Sequence, residues 1–102
     1  MKQIFVAGHN GMVGKAICRK LILNTDVQLI TCDRTELDLL DQKAVQNFFQ
    51  NERIDEVILC AAKVGGIHAN NTYPANFIYE NLQIQNNVIH SSHVFGIQKL
   101  LF

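Results

Sequence analysis

The stretch from Gln3 to Gly14 limits the possible folds of this chain more than any other part of the sequence. Ile4 to Ala7 form a short apolar run that is typical of a buried strand, and apolar residues at helical spacing begin at Met12. The glycines at positions 8, 11 and 14 therefore lie at a turn between a strand and a helix. Glycines at this spacing, in this strand-to-helix context, are typical of a turn that binds a dinucleotide.

Each glycine of this turn has a separate predicted role. Gly8 permits the tight turn, Gly11 lets the backbone approach a pyrophosphate, and Gly14 lets the helix pack closely on the strand. The N-terminus of the helix presents free N–H groups and a partial positive charge to the phosphates. The other candidate cofactor-binding residues of the turn are His9, Asn10, Met12 and Val13.

The composition predicts a packed globular unit whose partner is a small molecule. The chain has 102 residues, enough for one domain (1–102), and 48% of them are hydrophobic. Nine basic and nine acidic side chains balance, so nothing predicts binding to nucleic acid or to an anionic membrane. No apolar run approaches the length that spans a bilayer. A core strand directly after Met1 and Lys2 leaves no room for a signal peptide, so we expect a cytoplasmic protein.

The cysteines and histidines do not predict a metal site. Cys18, Cys32 and Cys60 lack metal-ligand spacing and fall within predicted helix or strand, where they are most simply buried thiols. The histidines at positions 9, 68, 90 and 93 lack such spacing as well. The last two are expected on the surface of the final helix, whereas His68 follows a diglycine and could approach a substrate.

Hydrophobic periodicity divides the chain into alternating strands and helices. Strands are predicted at residues 4–7, 27–31, 57–61 and 99–102, and helices at 12–23, 41–50 (capped by Asp41) and from 76 to about 96. Asn81 and Gln85 fall on the apolar stripe of the last helix, where we expect buried hydrogen-bond partners for their amides. The β-α-β-α-β-α-β order predicts an α/β fold, the first half of a Rossmann-type doubly wound parallel sheet with strand order 3-2-1-4.

The ligand crevice of such a sheet lies at the carboxyl ends of the strands beside the first strand. Residues 8–14, 31–34 and 61–66 would converge there. Asp33 and Arg34 occupy the position that contacts the adenosine ribose, where an acid hydrogen-bonds the 2′-hydroxyl and an arginine accommodates a 2′-phosphate. The sequence offers both side chains and leaves the choice open, and a solvated turn would also explain the pair.

Two further segments are candidates for the same crevice. Asp38 could accept a hydrogen bond from the adenine amino group, although Asp38 and Asp41 could equally be ordinary caps. Ala61 and Ala62 are small enough for a ribose or nicotinamide to lie against the backbone, and simple packing explains them as well.

Together these motifs resemble those of the GDP-L-fucose synthases, a family of the extended short-chain dehydrogenase/reductase superfamily. The resemblance covers essentially the whole chain and matches the amino-terminal third of that enzyme. The segments that show it are Gly8-His9-Asn10-Gly11-Met12-Val13-Gly14, Asp38-Leu39-Leu40-Asp41, Ala61-Ala62-Lys63-Val64-Gly65-Gly66-Ile67, Ala69-Asn70-Asn71-Thr72-Tyr73-Pro74, and Asn81.

The resemblance implies an epimerase-reductase that converts GDP-4-keto-6-deoxy-D-mannose to GDP-L-fucose with NADPH. Residues 8–14 would hold the pyrophosphate and Arg34 the 2′-phosphate, while Leu39 would contact adenine with help from Asp38. Asn81 resembles the asparagine that ties the long helix to its neighbouring strand. The implied partner is a GDP-sugar, and the full-length protein could form a homodimer.

The catalytic residues of this family have no counterpart in the chain. A serine with a nearby cysteine, a Tyr-x-x-x-Lys pair and a histidine would follow the last strand, so no catalytic residue is assigned. We therefore expect a fragment, the amino-terminal portion of an NADP(H)-binding domain, that is inactive alone and marginally stable. Two alternatives remain: another NAD(P)-dependent nucleotide-sugar epimerase or dehydratase, and a non-catalytic dinucleotide-binding module.

Overall fold

The computed structural model describes residues 1–61 and 74–101, and strands and helices alternate along this part of the chain as predicted. Ala62, His68 and most of the irregular segment 63–75 lie outside the described residues. No helix in the described ranges is long and apolar enough to cross a membrane. The elements are β1 (Lys2–Ala7), α1 (Met12–Leu21), β2 (Val27–Ile30), α2 (Gln42–Asn51), β3 (Glu56–Leu59), α3 (Pro74–Val94) and β4 (Lys99–Leu101).

The described strands form one parallel sheet in the order β2-β1-β3-β4. β1 pairs with β2 from Lys2 opposite Val27, and with β3 from Ile4 opposite Glu56. The Rossmann-type α/β fold is therefore confirmed. The predicted strand order 3-2-1-4 is wrong, because β3 lies beside β1 rather than outside β2.

Burial explains the observed order. Val57 and Leu59 of β3 are buried, which suits a strand with neighbours on both sides, whereas β2 has no buried residue and exposes Gln28. With right-handed crossovers, the order 2-1-3 places α1 on one face of the sheet and α2 on the other, where α3 joins it. The order 3-2-1-4 would instead place α2 beside α1 and separate it from α3.

The main core lies on the face covered by α2 and α3. Phe5 of β1 packs against Phe48 and Phe49 of α2, with ring centroids 4.8 Å and 5.9 Å apart. Val45 of α2 and Val88 of α3 are fully buried in the same cluster. Because side chains alternate along a strand, the buried Ile4 and Val6 of β1 point to the opposite face, which α1 covers.

Polar contacts fix the amino ends of β1 and β3. The Oδ2 atom of Asp55 accepts a hydrogen bond of 2.7 Å from the backbone N–H of Gln3. Arg53 donates to the same carboxylate and, at 2.8 Å, to the carbonyl of Met1. The Gln3 amide is the main cause of a lowered pKa of Asp55, and Arg53 adds to it. These contacts hold the end of the sheet opposite the cavity described next.

Candidate functional site

A cavity of about 260 Å³ opens at the carboxyl ends of β1, β2 and β3. It is lined by residues 8–11 after β1, residues 32–34 and 37–40 after β2, Cys60 and Ala61 after β3, and Ile84 of α3. The predicted convergence is thus present for the described segments. Of the candidate residues, the cavity brings together Gly8, His9, Asn10, Gly11, Arg34, Asp38, Leu39 and Ala61.

The glycine turn fits closely between its neighbours. Gly8 has a φ of +88°, which favours glycine, and a Cβ there would lie 2.5 Å from the backbone nitrogen of Ala61. A Cβ on Gly14 would overlap the carbonyl oxygen of Gly8 and lie 2.9 Å from the Cα of His9. A Cβ on Gly11 would meet only the Gly8 oxygen, at 3.6 Å. Packing therefore demands glycine at positions 8 and 14, whereas at position 11 the missing side chain leaves room in the cavity.

The N-terminus of α1 begins at this turn. Gly11 is the N-cap and supplies no side-chain hydrogen bond, and the first turn contains no acidic residue. The first N–H groups of a helix have no intrahelical acceptor, and the helix dipole makes this end favourable for an anion. Met12 and Val13 are 89% and 62% exposed, and neither lines the cavity. Their backbone N–H groups, not their side chains, are the atoms that could hold a phosphate.

Asp33 and Arg34 differ in the partners they already have. The Oδ1 atom of Asp33 accepts from the N–H and hydroxyl of Thr35, at 2.9 and 2.6 Å, and from the N–H of Glu36. The Thr35 hydroxyl is the main cause of a lowered pKa of Asp33. Arg34 is exposed, lines the cavity, and makes no hydrogen bond or ion pair with any described residue. One oxygen of Asp33 is thus committed to the turn, while the Arg34 guanidinium is available to an anion.

Residues 37–40, which follow the Asp33 turn, line the cavity on the side of α2. The Oδ1 atom of Asp38 accepts from the N–H of Leu40 at 3.0 Å, so Asp38 stabilises its own turn while it lines the cavity. Asp41 caps α2 by accepting from the N–H of Ala44 at 3.1 Å. The carbonyl of Leu39 accepts from the amide of Asn87 at 2.8 Å.

Cys60 and Ile84 line the cavity and were not foreseen there from the sequence, whereas Cys32 belongs to the segment 31–34 that was expected to converge. Cys60 comes directly after β3, and Cys32 lies two residues after β2. Both are only partly buried, so the expectation of buried thiols within helix or strand is wrong for them. Their position after a strand was the available signal. Burial raises the pKa of both thiols. Ile84 received no assignment from the sequence, because the periodicity of a helix does not show which of its residues faces a cavity.

The described histidines do not cluster. His9 lines the cavity, whereas His90 and His93 are exposed on α3 as predicted. In the ranges 1–61 and 74–101, no group of histidine, cysteine and acidic side chains could hold a metal ion.

A glycine turn between β1 and α1, a parallel sheet, and a cavity at the carboxyl ends of its strands define a Rossmann-type domain, the class of fold that binds dinucleotides. The model of the NAD dependent epimerase/dehydratase family matches residues 4–102. The chain belongs to this family.

Named relatives agree with the resemblance seen in the sequence. The chain is 57% identical to a GDP-L-fucose synthase of Escherichia coli K12 over 99% of its length, and 59% identical to a putative GDP-L-fucose synthase 2 of Arabidopsis thaliana over 98%. It spans 32% and 30% of the lengths of these two proteins. A solved GDP-mannoheptose C4 reductase from Campylobacter jejuni with NADP bound superposes with a TM-score of 0.90 at 43% identity, over 97% of this chain and 29% of that one.

Proposed function

We propose that the complete gene product is an epimerase-reductase that converts GDP-4-keto-6-deoxy-D-mannose to GDP-L-fucose with NADPH. This chain provides the cofactor-binding residues. In the proposed site, Gly8 to Gly14 hold the pyrophosphate, with the N–H groups of Met12 and Val13 directed to its oxygens. Arg34 binds the 2′-phosphate, and the adenine lies between Asp38 and Leu39. Ala61 faces the ribose and nicotinamide, and the same role for Ala62, which lies outside the described residues, stays a prediction from the sequence.

The observation that carries the cofactor assignment is the contrast between Arg34 and Asp33. Arg34 lines the cavity without a partner among the described residues, and Asp33 uses one oxygen for three local hydrogen bonds. A guanidinium can bind a phosphate through two parallel hydrogen bonds. This arrangement favours a cofactor with a 2′-phosphate, as does the NADP bound to the related Campylobacter jejuni reductase.

The substrate assignment depends on the relatives. Two proteins that match nearly the whole chain at 57% and 59% identity are named GDP-L-fucose synthases. The reductase of known structure also has a GDP-sugar in its name. These relatives support a GDP-linked sugar as the substrate, and the two closer in sequence support GDP-4-keto-6-deoxy-D-mannose.

The first test measures cofactor affinity in the complete gene product and in Arg34→Ala. A hydrogen bond to a charged group contributes about 1.5–3 kcal/mol, so the Kd for NADPH should rise about 10- to 100-fold. The Kd for NADH should change less than about twofold, because NADH has no 2′-phosphate. Asp33→Asn is the matched control: it keeps a side-chain oxygen for the turn, removes the charge, and should leave NADPH binding unchanged or tighter.

Different results would overturn the cofactor, the substrate and the enzyme assignments. Tighter binding of NADH than of NADPH, with no change of preference in Arg34→Ala, would overturn NADPH and favour an NAD-dependent epimerase or dehydratase. Normal NADPH binding without formation of GDP-L-fucose from the keto sugar would overturn the substrate. Dinucleotide binding without turnover of any nucleotide sugar would favour a non-catalytic module.

A further inference from the structure

A buried amide connects α3 to the wall of the cavity. Asn87 is 4% exposed, and its Nδ2 atom donates to the carbonyl oxygen of Leu39 at 2.8 Å, across 48 residues of chain. Leu39 lines the cavity directly. Asn87 itself is not a lining residue of this cavity, so any effect on a ligand there must pass through Leu39.

Asn87 supplies the long-range hydrogen bond to the cavity wall at residues 37–40, whose leucines also pack in or against the hydrophobic core. The other hydrogen bonds of the segment are local, such as those from Leu40 N–H to Asp38 Oδ1 and from Asp41 N–H to the Asp38 carbonyl. Among the described residues, the Asn87 bond alone joins residues 37–40 to another element by a hydrogen bond. Local bonds set the shape of a turn, but a long-range bond sets its distance from the rest of the site.

A second amide fixes the orientation of the first. Gln83, one helical turn earlier, donates from Nε2 to the Oδ1 atom of Asn87 at 3.1 Å. With Oδ1 occupied as an acceptor, the NH₂ group of Asn87 faces the Leu39 carbonyl. Ile84, three residues before Asn87 and on the same side of α3, is a lining residue of the cavity. One face of α3 thus contacts the cavity through Ile84 and positions its wall through Asn87.

We infer that Asn87 is a positioning residue for the cofactor: it holds the Leu39 wall at the distance that the adenine half requires, and Gln83 orients its amide. The inference rests on the proposed function, since it concerns the same cavity. The inference predicts different effects on the two halves of the cofactor. The adenine half contacts residues 37–40 and depends on Asn87, whereas the transferred hydride lies at the other end of the dinucleotide.

The test compares Asn87→Leu with Asn86→Leu in the complete gene product. Leucine is similar in size to asparagine but has no donor for the Leu39 carbonyl. Asn86 is the neighbouring exposed asparagine, makes no hydrogen bond to residues 37–40, and is the matched control. Adenosine 2′,5′-bisphosphate serves as a probe of the adenine half, together with NADPH and steady-state turnover of the keto sugar.

Asn87→Leu should raise the Kd for both probes about tenfold and raise the KM for NADPH equally, while kcat at saturating NADPH stays within about twofold of wild type. Asn86→Leu should match wild type in all of these. A lower melting temperature with unchanged Kd and KM would make Asn87 a purely structural residue and overturn the inference, as would a fall in kcat at constant KM.

A second variant covers the case in which Asn87→Leu does not fold. Gln83→Leu keeps the bond to Leu39 but frees the Asn87 amide to rotate, so the Kd for adenosine 2′,5′-bisphosphate should rise about threefold. An unchanged Kd in that variant would overturn the inference. If the wild-type protein binds neither probe, the proposed function itself fails, which is a different result from equal binding by wild type and variants.

Discussion

Replacing Gly14 with alanine tests the close packing of α1 on the glycine turn. The added Cβ would overlap the carbonyl oxygen of Gly8 and lie 2.9 Å from the Cα of His9, so backbone atoms rather than a flexible side chain must move. Gly11→Ala is the matched control, because a Cβ there meets only the Gly8 oxygen at an ordinary 3.6 Å.

The expected losses in the free energy of unfolding differ by more than a factor of two between the two variants. Overpacking costs about 1–3 kcal/mol. Because the added Cβ of Gly14→Ala meets backbone atoms, which cannot rotate away, we expect a cost near the upper end, about 3 kcal/mol. Alanine is better than glycine inside a helix by about 1 kcal/mol, which leaves a net loss of about 2 kcal/mol in the free energy of unfolding. Gly11→Ala should cost only about 0.5 kcal/mol, from a poorer N-cap. Its larger effect should be on NADPH affinity, because the methyl group occupies room in the cavity.

Urea unfolding followed by circular dichroism measures the stability of both variants, and hydrogen exchange of peptides from residues 4–21 locates the change. Gly14→Ala should lose stability and exchange faster at the turn, whereas Gly11→Ala should keep both and bind NADPH more weakly. Equal stability and equal exchange in the two variants would refute the packing argument. Normal NADPH binding by Gly11→Ala would refute the role given to Gly11.

Three further expectations concern the cap, an acid and a thiol. Asp41→Ala should lower the free energy of unfolding by about 1 kcal/mol, because the N–H of Ala44 loses its acceptor; urea titration measures this, and an unchanged midpoint would contradict it. The pKa of Asp55 is held below its ordinary value, so its stabilisation is present above that ordinary value and is lost as the pH falls through the lower folded pKa. Asp55→Asn should therefore flatten the acid limb of a stability-versus-pH curve, and an equally steep limb would argue against this role. Burial raises the pKa of both Cys60 and Cys18, so iodoacetamide should label them slowly near neutral pH and faster as the pH rises. NADPH should slow the labelling of Cys60, which lines the cavity, but not of Cys18; equal protection would place the cofactor elsewhere.

Local sequence patterns predicted the elements well because each pattern reflects local geometry. The spacing of apolar residues predicted the strands and helices, and Asp41 caps α2 as its position before the helix indicated. The order of the strands, in contrast, depends on contacts between residues far apart in the chain. Right-handed crossovers permit both 3-2-1-4 and 2-1-3-4, and the choice depends on the packing of α2 and α3 into one core, which contains Val45 and Val88, residues far apart in the chain.

The same distinction applies to the cavity. Gly8, Arg34 and Ala61 were found because residues after parallel strands meet at one edge of the sheet. Asn87 was not found, because the sequence placed Asn81 and Gln85 on the apolar stripe of this helix, whereas the buried amide is Asn87. Its partner is a carbonyl from a loop 48 residues away, which no local pattern indicates. Asn81, to which a tie with the neighbouring strand was assigned by resemblance, remains a prediction.

The order of the sheet also bears on how the protein folds. β1 is linked to β2 by a side-chain hydrogen bond between residues 25 apart, and to Asp55, just before β3, by a bond between residues 52 apart. The Asn87 amide of α3 reaches Leu39 across 48 residues. Contacts across longer loops cost more entropy to close and tend to form late. The cavity is complete only after the latest of these contacts has formed. A bound dinucleotide should therefore slow the unfolding rate while leaving the folding rate nearly unchanged, so that the cofactor extends the lifetime of the native state.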